Sequence, residues 1–147
     1  MFIDGRRLER ARIPDRGKTF SIERTKVDLG GSAIKFLEGD IKKWSNLNDV
    51  EVVLFHSWNE SRLPIADIDE KERIISFTGP IGFPLGKYMS GPNQYYVENV
   101  MEGLDQPGEW YLDSRACKLY LYPDTDLNNS QLRAPVVNQL ILLEGNI

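Results

Sequence analysis

Apolar and polar positions alternate along this chain in short runs, and no stretch sustains helical spacing for long. Phe2-Ile3 and Arg6-Arg7-Leu8 flank Asp4-Gly5, a pair suited to a tight hairpin because both central residues there need positive φ. Beyond it Leu8, Arg10 and Arg12 alternate with Glu9, Ala11 and Ile13, a strand that Pro14 ends. Residues 15–31 are polar, carry Gly17, Gly30 and Gly31, and predict a long loop. A short strand is expected over 33–37. Asp40 is placed to cap one helical turn over 41–44 by accepting from the free amides that follow it. A turn at 46–49 leads into 50–58, the most apolar segment, which predicts a central strand. Two further strands, 62–68 and 73–78, are joined through Asp69-Glu70-Lys71.

The segment 79–94 holds Pro80, Gly82, Pro84, Gly86, Gly91 and Pro92, a density that excludes regular structure and predicts a surface loop. A strand at 95–97 and one to two helical turns over 98–104 follow. Gln106-Pro107-Gly108 then turns the chain into a hairpin of 109–113 with 118–122. Alternation there puts Trp110 and Leu112 on one face and Glu109, Tyr111 and Asp113 on the other. The expected core face is that of Trp110 and Leu112. Segments 131–137 and 139–143 close the chain as strands. The sum is an all-β chain, an antiparallel β-sandwich or open barrel of about ten short strands with one or two single-turn helices.

Composition agrees. Ala is scarce, at five residues, whereas Ile and Val total twenty, a balance that favours strands over helices. The 147 residues make one domain's worth of chain. The net charge of −4 argues against a nucleic-acid binder with a basic face. The apolar runs are too short to span a membrane as a helix, so no membrane partner is expected. Met1-Phe2-Ile3-Asp4-Gly5-Arg6-Arg7 lacks the apolar stretch of a secretory signal. A single cysteine, Cys117, permits no internal disulfide, and a single histidine, His56, excludes sites that need two. No metal or other cofactor is expected.

The run from Tyr95 through Glu98-Asn99-Val100-Met101-Glu102-Gly103-Leu104 and Pro107-Gly108-Glu109-Trp110-Tyr111-Leu112-Asp113, followed by Leu119-Tyr120-Leu121-Tyr122-Pro123, resembles a known signature. It is similar to the β-sandwich inserted near the N-terminal end of right-handed parallel β-helix glycoside hydrolases, of the family 141 and family 120 β-xylosidase-like type. Phe2 to Arg7, Ala11-Arg12-Ile13-Pro14, Gly39-Asp40-Ile41 with Trp44, and Val50-Glu51-Val52 with Phe55-His56-Ser57-Trp58 fall in the same order. The resemblance covers nearly the whole chain. It implies a β-sandwich over 1–140 and, at 141–147, the start of a β-helix that this chain lacks. It also implies a secreted or periplasmic enzyme around the domain, with that β-helix and carbohydrate as partners. In the hairpin the family usually turns through glycine just before the Leu-Tyr pair, where this chain has Cys117.

A glycosidase needs two carboxylates about 5–5.5 Å or about 6.5–9.5 Å apart. Glu109 and Asp113 share a strand face at about 13 Å, which is too far. Glu98 and Glu102 could sit one helical turn apart, but as a solvated helix face. In the resembled family the catalytic acids belong to the β-helix, so this chain alone is expected to be inactive. Ser57 beside His56 makes no catalytic pair, since adjacent strand residues point apart. Asp67, Asp69 and Glu70 lack the spacing of a calcium loop.

The functional residues expected are Trp58, His56 and Arg62, close together where the central strand ends. An indole stacks on sugar C–H groups, an imidazole switches hydrogen-bonding roles, and a guanidinium adds a fixed cation. Trp44 is a weaker stacking candidate, better placed in the core. The expected role is a non-catalytic accessory domain that packs on the β-helix and helps wall the sugar groove or bridge subunits. A free-standing carbohydrate-binding module and a purely structural or oligomerisation module are the alternatives.

Overall fold

The computed structural model describes residues 1–24, 30–86, 88 and 90–136. The described residues form thirteen strands: β1 (Phe2–Ile3), β2 (Arg6–Arg7), β3 (Glu9–Arg10), β4 (Arg12–Ile13), β5 (Phe20–Ser21), β6 (Ala33–Lys35), β7 (Glu51–Phe55), β8 (Glu60–Asp69), β9 (Ile74–Phe77), β10 (Gln94–Glu98), β11 (Glu109–Asp113), β12 (Lys118–Leu121) and β13 (Leu132–Arg133). Single 3₁₀ turns lie at Leu47–Asp49, Met101–Gly103 and Leu127–Asn129. The all-β sandwich-type fold expected from the pattern is the one found. The expected strand at 139–143, the end of the expected 131–137 strand and the β-helix start at 141–147 lie outside the described residues.

The main sheet runs β4-β10-β7-β8-β9-β6, with β5 also on β10. β7 holds its middle, and Val52, Val53 and Leu54 are all buried because both faces are covered. Each such side chain is worth roughly 1.5–3 kcal/mol in area removed from water. Within β8 the register shifts between Ile65 and Asp67, an irregularity that lets a strand bend. The sheet curls far enough that Ile22, just after β5, bridges Phe36, just after β6. The Glu23 amide donates to the Lys35 carbonyl there at 2.7 Å. Inside the curl sit Ile34, Phe36, Ile41, Trp44, Val52, Leu54, Ile65, Ile75, Tyr95 and Val97.

Two three-stranded sheets, β13-β1-β2 and β12-β11-β3, complete the molecule. The first begins with the expected hairpin, Asp4 and Gly5 both having positive φ. The pairing of β11 with β3 is parallel, whereas the other pairings among the described strands are antiparallel.

Several local expectations are corrected. The continuous strand over 8–13 divides into β3 and β4, which join different sheets; Ala11 lies between them, fully buried, with its amide on the Trp110 carbonyl and its carbonyl on the Asn99 amide. The loop expected over 15–31 contains β5. No helix forms at 41–44: Gly39, at φ 88°, lies in a turn that includes Asp40, and Ile41 and Trp44 enter the core from chain without regular structure. One turn makes too few hydrogen bonds to offset its nucleation cost, so burial decides. The helical turns over 98–104 reduce to Met101–Gly103, because Glu98 still belongs to β10 and Asn99 turns the chain at φ 61°.

The hairpin face is reversed. Glu109 and Tyr111 are buried, whereas Trp110 is half-buried and Leu112 exposed. The polar atoms of the inner face are satisfied locally. One Glu109 carboxylate oxygen accepts the Asp105 and Gln106 amides at 3.1 and 3.0 Å, and the Asn46 side-chain amide donates to the Tyr111 hydroxyl at 2.6 Å. Burial raises the Glu109 carboxyl above its ordinary value, the two amides pulling the other way.

Candidate functional site

Strand β7 ends at Phe55, not at Trp58 as expected. The chain reverses over 56–59, closed by the His56 amide donating to the Asn59 carbonyl at 2.8 Å, and returns as β8. Trp58 therefore sits at a hairpin tip and is 69% exposed. The loop between β9 and β10 lies over this tip. Its Phe83 ring meets Trp58 edge-on at 5.8 Å, and its Tyr88 ring lies 5.4 Å from Trp58 at 30°. Tyr88 is itself 70% exposed.

Asn93 fastens that loop to the end of β7. It is fully buried, donates to the Phe55 carbonyl at 2.8 Å and accepts the Gly86 amide at 2.6 Å. A buried side chain meeting both sides of a gap holds a loop without regular structure.

His56 is only 7% exposed and touches Phe83 edge-on at 5.5 Å. The Ser61 hydroxyl donates to the Ile81 carbonyl at 2.9 Å, so its oxygen is left to accept from His56 Nε2–H at 2.8 Å. Nδ1 is buried without a partner. Burial lowers the imidazole's pKa from its ordinary 6.5, so the ring is neutral near pH 7. His56 thus supports the tip through Phe83 and the Ser61–Ile81 chain.

Arg62 lies apart from this group. Ser61 and Leu63 of β8 face inward, while Arg62 faces out and pairs with Glu98 and, at 3.2 Å, with Glu60. Glu98 also lies 3.7 Å from Arg10, which holds Glu51 at 2.7 Å. Beside them the Arg12 guanidinium stacks on Tyr96, 3.5 Å from its ring centroid. Glu102 pairs with Lys42 at 3.2 Å, so Glu98 and Glu102 belong to different neighbourhoods. Trp44 is buried in the core.

Phe83, Tyr88 and Asn93 were not singled out from the sequence. The two aromatic residues stand out there as large rings in an otherwise turn-forming segment. Nothing local distinguishes Asn93 from a solvated loop asparagine. Among the described residues no three His, Cys, Asp or Glu side chains converge as metal ligands. What the tip offers is aromatic surface. Trp58 and Tyr88 are too close and too parallel to lie side by side; each covers part of the other, and both remain largely exposed.

The family model of the GH141 insertion domain matches residues 1–124. Among solved structures, the chain is similar to one described as a glycoside hydrolase, at 25% identity and a TM-score of 0.59. That match covers 83% of this chain and 23% of the other, so the chain spans about a quarter of that protein's length. No curated protein matches.

Proposed function

The chain belongs to the GH141 insertion-domain family, and from that premise we propose that it is a non-catalytic accessory domain of a glycoside hydrolase. It packs on the catalytic part of the enzyme, a β-helix by the resemblance above, and holds the Trp58 tip at the edge of the sugar groove. The observation that carries this is the exposure of Trp58 and Tyr88 on a tip fastened from beneath by Asn93 and His56. An apolar pair of this size in water is unfavourable unless something covers it in use. The outer indole face suits a pyranose ring, whose C–H groups meet the negative π-cloud. Arg62 is held by Glu98 and Glu60. A free-standing binding module would be better served by coplanar rings side by side, an arrangement that the 30° stack of Trp58 on Tyr88 does not make.

The test is Trp58→Ala in the complete polypeptide that carries the domain. The expected result is a KM raised about tenfold or more with kcat and melting temperature unchanged, as for binding lost equally in ground and transition states. Unchanged KM removes the groove-edge role.

A further inference from the structure

The outer face of the sheet β12-β11-β3 is apolar and open. Trp110 pairs with Leu121 across β11 and β12, and Leu112 with Leu119. All four project opposite to the buried Tyr111, since side chains alternate along each strand. Leu112 is 37% and Leu119 42% exposed, and Trp110 and Leu121 are half-buried. Two adjacent cross-strand pairs make one continuous patch, unlike the isolated apolar residues common on any surface. Arg10, opposite Trp110 on β3, sets its guanidinium 5.7 Å from the indole centroid.

We infer that this face is where the catalytic part of the same polypeptide seats, a conclusion that rests on the accessory-domain role proposed above. Three observations choose that occupant. First, β1 and β13 are paired, Phe2 with Arg133 and Ile3 with Leu132, so a host joined through these strands connects on one side of the domain. The patch reaches that side, because Met1, Leu8, Arg10 and Trp110 line a single hollow. Second, the similar glycoside hydrolase has more than three-quarters of its length outside the match, which is ample material to cover the face. Third, the hollow beside the patch carries more cations than anions, Arg7, Arg10, Arg16 and Arg62 against Glu9 and Glu98, in a chain of net charge −4. Arg7 has no carboxylate partner among the described residues, and Arg16 approaches only Glu9, at 3.7 Å. The seated surface is therefore apolar opposite Trp110 and Leu112 and acidic opposite Arg7 and Arg16.

The experiment places L112K/L119K in the chain alone and in the complete polypeptide. Alone, the urea midpoint stays near wild type, since both side chains already meet solvent. In the complete polypeptide, cleavage by a protease at the joins beside β1 and β13 speeds up about tenfold, reporting the lost seat. Unchanged cleavage overturns the inference. So does a dimer of the wild-type chain that the double variant dissolves, which would make a second copy the occupant. Should the double variant unfold alone, Leu119→Ser is read the same way. Trp58→Ala in the same polypeptide separates the two proposals, because it moves KM without affecting cleavage.

Discussion

The hairpins β7–β8 and β11–β12 each bring a tryptophan to the surface, and they do so in opposite ways. In β7–β8 the first strand is buried on both faces, the second on one, and Trp58 is exposed at the tip. In β11–β12 the turn is polar and the apolar residues lie along one outer face, Trp110 among them. Apolar alternation identifies which residues share a face, not which face is inward. Where polar side chains find partners close at hand, as Glu109 and Tyr111 do, they can occupy the inner face and leave the apolar one for another surface.

The largest effect that can break this comparison comes from the second hairpin. Tyr111→Ala should cost the isolated chain about 3–5 kcal/mol, the range for buried aromatics, while Trp110→Ala should cost well under half of that. Urea midpoints of the two variants decide it. If Trp110→Ala is the more damaging, the outer face is core after all.

The β11–β12 turn gives a smaller effect. Cys117 has φ 52°, a conformation unfavourable for any residue with a Cβ. Cys117→Gly should stabilise the chain by about 0.5–1 kcal/mol, the relief of strain being partly offset by glycine's greater freedom when unfolded. A midpoint that falls would show that the Cys117 side chain contributes more than its backbone costs.

At the first hairpin the expected effect is a slope. His56 is buried neutral and its pKa is lowered from 6.5, so the unfolded chain binds the proton more readily. The stabilisation is complete above pH 6.5 and is lost as pH falls through the lower folded value. His56→Leu, compared with wild type in urea at pH 7.5 and again at progressively lower pH, should flatten that decline. A wild-type midpoint independent of pH, once the carboxylates are allowed for, would mean that His56 titrates as freely as in the unfolded chain.

The fold was largely legible from the sequence because Gly and Pro punctuate it and β-branched residues fill its strands. The Asp4-Gly5 hairpin, the central position of β7 and the long 79–94 loop followed directly. The departure from glycine at Cys117 pointed to a left-handed position, and its φ is positive. Three features were hidden because they depend on partners distant in sequence. The route of 8–13 between sheets depends on Ala11 meeting Trp110 and Asn99. The inward face of β11 depends on Asn46 meeting Tyr111. The Trp58 tip is completed by Phe83 and Tyr88 from a loop with no periodic pattern, and Arg62 is paired with Glu98, thirty-six residues on.

Hydrogen exchange on the chain alone and within the complete polypeptide, the latter with and without a saccharide substrate, separates the seated face from the sugar-facing tip. Exchange at 118–121 should be slower in the complete polypeptide whether or not saccharide is present. Exchange at 56–59 should slow only when saccharide is added. Protection of 56–59 by the polypeptide itself, with 118–121 exchanging as in the isolated chain, would contradict both assignments.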